Sequence, residues 1–95
     1  MAGVTGKLYM PVSLLDRVKG ILTDAHFVCE EKSEFHVVHA THFTRAMADC
    51  FVNAEKSRLA VILHNNAELL LKDSIMALDE GVVYEPAKEV LQKPS

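Results

Sequence analysis

RLAVILHNNAELLLKDSIMALDE, residues 58–80, holds two apolar bands, 59–63 and 69–71, separated by His64, Asn65 and Asn66. Five apolar residues in a row leave no polar face. A helix would spread them in every direction and a strand would place them on both sides, so the first band is buried all round. Asn65 followed by Glu68 has the form of a capping box that opens a helix. The stretch therefore predicts a central strand over 58–64 and a helix over 66–80 stopped by Gly81. On that helix Ala67, Leu70, Leu71, Ile75 and Leu78 share the face assigned to the core. Leu69 and Met76 lie nearly opposite, among Lys72, Asp73 and Glu80.

Upstream, Gly3 and Gly6 suggest a loose start over 1–6, and Leu8 to Met10 reads as a short edge strand ended by Pro11. Ser13, with Asp16 three residues on, opens a second helix on which Leu14, Leu15, Val18, Ile21, Leu22 and Ala25 fall on one side. Residues 26–30 and 35–39, rich in Val, Phe and His, suit a hairpin around a short polar turn better than a helix. Thr41 can cap a further helix carrying the stripe Phe43, Ala46, Met47, Cys50, Phe51 and Ala54, with Asn53 as a left-handed stop. After Gly81, residues 82–84 read as a strand, Pro86 suits a first helical position for 87–93, and 92–95 is a tail.

The expected order is (β)αββαβα in a single α+β domain spanning 1–95, with a split-βαβ, ferredoxin-like sheet carrying its helices on one face. The rival is an all-α bundle, because no glycine or proline occurs from Ile21 to Glu80. Ninety-five residues bury only roughly 60–65% of their unfolded surface, yet 49% of this chain is hydrophobic and its mean hydropathy is +0.12. The surplus argues for an oligomer or a protein partner. A net charge of −3, a pI near 5.9 and scattered basic residues do not form the one-sided basic face of a nucleic-acid module. Two cysteines make no disulfide framework, nothing at the start resembles a signal peptide, and no apolar run approaches the about 20 residues of a membrane span. A soluble cytoplasmic protein is expected.

Histidine is the one local concentration: His26, His36, His39 and His42, with Cys29 near them. His26-x-x-Cys29 and His36-x-x-His39 are ligand types that suit zinc, but six residues between the pairs is short. If both pairs lie on strands, alternation sends residues three apart to opposite faces. No structural metal and no cofactor is therefore expected. Neither Cys29 nor Cys50 has a glycine-rich turn or helix start to activate it, and no phosphate loop or acid/base pair stands out, so an enzyme is not expected. Arg45, Lys56 and Arg58, with Phe27 and Phe35 as stacking residues, frame the alternative of a small nucleic-acid-binding regulator. The expected function is a protein–protein interaction module of the inhibitor, antirepressor or similar regulator kind, working as a homo-oligomer. Its contact residues would be Leu69, Lys72, Asp73 and Met76 on the back of the last long helix.

Overall fold

The computed structural model describes residues 3–87. The helix expected over 87–93 and the tail at 92–95 fall, from residue 88 on, outside these described residues. Within them the chain forms β1 (Val4–Pro11), a 3-10 turn (Val12–Leu14), α1 (Leu15–Asp24), β2 (Val28–Glu30), β3 (His36–Thr41), β4 (Met47–Val52), β5 (Arg58–His64), α2 (Ala67–Met76) and β6 (Val83–Pro86). The six strands make one antiparallel sheet in the order β2-β3-β4-β5-β1-β6. This is an α+β domain and not an all-α bundle.

The expected central strand stands where the sequence places it. β5 lies between β4 and β1, and Leu59, Val61 and Leu63 are fully buried. The band is not buried all round as expected: Ala60 and Ile62 are half-buried on the other face, which no helix covers. The helix after it is shorter than expected, ending at Met76 rather than at Gly81, whose φ is not positive. Neither expected capping box forms: the first residues of α1 and α2 receive no side-chain cap bond. Asn65 instead takes a left-handed φ of 60° and donates its side-chain amide to the Arg45 carbonyl at 2.7 Å. Glu68 accepts a hydrogen bond from the Tyr84 hydroxyl at 2.9 Å.

The largest correction concerns residues 41–54, expected as a helix. They finish β3, turn, and form β4. Ala48, Cys50 and Val52 face the core while Met47, Asp49 and Phe51 face away, an alternation of period two. The apolar residues also fit a helical stripe, and β-pairing on both sides decides between the two periods. Asn53 is not the left-handed residue expected, since Lys56 takes that role at φ 56°. Asn53 organises the turn through its side chain, whose carbonyl accepts the backbone N–H groups of Ser57 and Arg58 at 2.8 and 3.0 Å. With β4 a strand, β2 to β5 run as a four-strand meander, in place of the expected βαββαβ order. Leu8 to Met10 belongs to a longer strand that reaches back to Val4 and sits between β5 and β6, not at an edge.

Both helices pack on one side of the sheet. Val18 and Leu22 of α1 and Ala67, Leu71 and Ile75 of α2 join a single core with Leu8, Met10, Val38, Leu59, Val61 and Leu63. Leu70, assigned to the core by its spacing, is 41% exposed and lies with Ile21 and Ala25 on a shallow outer groove.

Candidate functional site

On the sheet face away from the helices, three histidines converge on one carboxylate. Asp49 stands at the middle of β4, opposite His39 on β3 and Ile62 on β5. Its Oδ1 accepts hydrogen bonds from His39 Nδ1 at 2.6 Å and His36 Nε2 at 2.9 Å, and its Oδ2 accepts one from His64 Nε2 at 3.0 Å. The four side chains are between 14% and 29% exposed, half withdrawn from water yet reachable from it.

A β-bulge makes this possible. His36 pairs with Phe51 and Val38 with Cys50, so β3 carries one more residue than β4 between these rungs. The extra residue restores His36 to the face of His39. The expectation that residues three apart would point to opposite sides assumed an unbroken strand, and the bulge overturns it. The His36 ring is further fixed by stacking on Phe51, with centroids 4.3 Å apart and planes 16° from parallel.

Burial by itself would push the Asp49 carboxyl up. The hydrogen bonds from His39 and His36, with the nearness of those rings, outweigh it and hold the group below its ordinary value. Asp49 is thus kept as an acceptor-only carboxylate. Among the His, Cys, Asp and Glu side chains of the described residues, His36, His39 and Asp49 form a group of three whose donor atoms all lie within 4.8 Å of one another.

The four-ligand set considered from sequence does not assemble. His26 is exposed at the corner between α1 and β2, with a left-handed φ of 70°. Cys29 is exposed on edge strand β2 and pairs with Ala40, while its neighbour Glu30 pairs with His39. His42 serves the β3–β4 turn, where its Nδ1 lies 2.7 Å from the Thr44 hydroxyl and its ring stacks on the exposed Phe43. Sequence reasoning missed Asp49 and His64. Asp49 was hidden by the helical reading of residues 41–54, and His64 by its place at the end of the central strand.

Cys50 is fully buried, and burial pushes its thiol up to about 12, so it is unsuited to nucleophilic chemistry. An aromatic disulfide reagent at mildly alkaline pH is expected to modify Cys29 alone in the native protein, and both thiols once denaturant is added. Equal reaction of both in the native state would show that the core is open at β4.

Leu69 is 83% exposed and Met76 is 37% exposed, on the outer side of α2 with Asp73. Lys72 is half-buried, its ammonium 4.6 Å above the centre of the Tyr84 ring. Of the stacking residues weighed for nucleic acid, Phe27 is buried, a correction to that reading, while Phe35 is 45% exposed. Lys56 is paired with Glu34 at 2.7 Å. No described helix is long and apolar enough to cross a membrane. No protein-family model matches the chain, and no curated protein matches it.

Proposed function

We propose that this chain is a small protein-contact module that associates with itself and modulates a partner protein, using the sheet face opposite the helices. The observation that carries this reading is the composition of that face. An antiparallel sheet that shows one side to water normally alternates polar residues outward. Here Tyr9 and Phe51 flank Ala60 on the neighbouring strands, and Ile62 follows on β5. Tyr9, Phe51 and Ala60 line an apolar depression edged by Arg58 and Asn53. An apolar centre with a polar rim is the anatomy of a contact surface. Leu69 and Met76 give a second apolar surface on α2, suited to the partner. Support for a nucleic-acid partner is thinner, because Phe27 is buried and the chain carries a net charge of −3.

Ala60→Arg tests the reading with little loss of packing, since the new side chain points out of the sheet. Light scattering at high micromolar concentration is expected to show an oligomer for the wild type and a monomer for Ala60→Arg. The variant keeps a cooperative unfolding transition but loses the concentration dependence that association gives the wild type. Leu69→Glu combined with Met76→Lys is expected to keep the oligomer mass and to weaken capture of the partner from cell extract. A monomeric wild type, with the double variant still binding every protein that the wild type binds, would overturn the reading.

A further inference from the structure

From the same sheet face we infer that His36, His39 and Asp49 form a binding site for a divalent first-row transition ion, with His64 orienting the carboxylate from its other oxygen. This goes beyond the contact function and does not depend on it. Three arguments support the site, each from a different feature.

The donor set comes first. Two imidazoles and one carboxylate are a ligand combination for Zn²⁺, Fe²⁺, Co²⁺ or Ni²⁺, whereas Mg²⁺ and Ca²⁺ call for oxygen alone. The distances come second. Ligand atoms around a tetrahedral ion with bonds of about 2.0–2.1 Å sit roughly 3.4 Å apart. His39 Nδ1 and His36 Nε2 stand 2.6 and 2.9 Å from Asp49 Oδ1. Widening these two contacts by less than about 1 Å each would bring them to that spacing. All three donor atoms already lie within 4.8 Å of one another, so an ion can take the place of the imidazole protons. The third argument is the support of the ligands. They lie on two paired strands, His39 and Asp49 in mid-strand and His36 at the start of β3, and the bulge that aligns His36 with His39 interrupts the β3–β4 ladder to do so. Phe51 locks the His36 ring by stacking, and His64 holds Asp49 Oδ2 at 3.0 Å from a third strand. Ligands fixed by an outer shell are what a metal site needs.

With three protein ligands, a four-coordinate ion keeps one position for water or an external ligand. The site can therefore bind more than the ion.

The test uses full-length protein purified without an affinity tag and stripped with a chelator that is then removed. Titration with Co²⁺ is expected to reach one ion per chain, with visible d–d absorption that Zn²⁺ abolishes by displacement and that Mg²⁺ leaves unchanged. Asp49→Asn and His39→Ala are each expected to eliminate stoichiometric binding. His64→Ala is expected to weaken it about 10–100-fold, as loss of an orienting group does. His26→Ala and His42→Ala, histidines outside the cluster, are expected to bind as the wild type does. Each variant is checked for the wild-type unfolding transition. If Asp49→Asn fails to fold, the partly exposed pair His36→Ala and His39→Ala carries the comparison. Sub-stoichiometric binding by the wild type would overturn the site. So would binding that survives in Asp49→Asn, or that falls equally in His26→Ala.

Discussion

Leu63→Asp is expected to leave the chain unfolded. Leu63 has no exposure, and its strand neighbours are Gly6 on β1 and Ala48 on β4, both buried. No described basic side chain is buried in this core, so the carboxylate would meet no ion-pair partner there. An unpaired charge in a dry core costs several kcal/mol, which is comparable with the about 5–15 kcal/mol that holds a folded domain together. Circular dichroism is expected to show loss of the strand signal and of any cooperative transition. A soluble Leu63→Asp protein with a sharp unfolding transition would mean that β5 is not the centre of the sheet. Ala60→Arg, three positions earlier on the same strand, reverses the outcome. Its side chain points to the opposite face, where charge is tolerated.

How much of this was legible in the sequence follows from the same strand. A run of five apolar residues marks a strand inside the sheet without knowledge of neighbours, and the bounds of β5 came out residue for residue. Only its Leu59, Val61 and Leu63 side is fully buried, however, and Ala60 and Ile62 stand half-buried on the open face. The helix α1 was legible for a similar reason, since its stripe has one period and no competitor. Residues 41–54 had two. Phe43, Ala46, Met47, Cys50 and Phe51 satisfy helical spacing, while Met47 to Val52 also alternate, and only pairing with β3 and β5 selects the strand.

The turns were illegible for a different reason. The backbone reverses at left-handed residues that are not glycine: His26, Arg45, Lys56 and Asn65. A non-glycine residue in that region is uncommon and costs energy. Local hydrogen bonds offset that cost. The Asn53 side chain ties the β4–β5 turn, and the Asn65 amide bonds the Arg45 carbonyl, joining two such turns. The lack of glycine from Ile21 to Glu80, which favoured a bundle, reflects this means of turning. The site was hidden by the two failures together. Without β4 there is no Asp49 beside His39, and without the bulge there is no His36 on its face. Histidine density alone pointed to the right strand and to the wrong partners, His26 and Cys29.

The edge of the sheet offers a prediction whose sign reverses with its background. Gly6 lies in β1 opposite Pro86, and the Tyr84 ring from β6 covers it on the helix side of the sheet. A Cβ at Gly6 would stand 2.6 Å from the Tyr84 hydroxyl oxygen and 2.7 and 2.9 Å from two ring carbons. The φ of Gly6 is not positive, so the backbone itself accepts any residue and the ring alone forbids one. Gly6→Ala must displace the Tyr84 ring, which disturbs its hydrogen bond to Glu68 at 2.9 Å and its contact with Lys72 at 4.6 Å. Overpacking of this kind costs about 1–3 kcal/mol. In a Tyr84→Ala background the obstacle is gone, and alanine in place of a strand glycine stabilises by about 0.5–1 kcal/mol, because the unfolded chain loses freedom. Urea unfolding of the four proteins in this cycle is expected to show Gly6→Ala destabilising the wild type and stabilising Tyr84→Ala. An equal effect in both backgrounds would show that Tyr84 does not lie on Gly6, and that β6 is held to the sheet by its backbone alone.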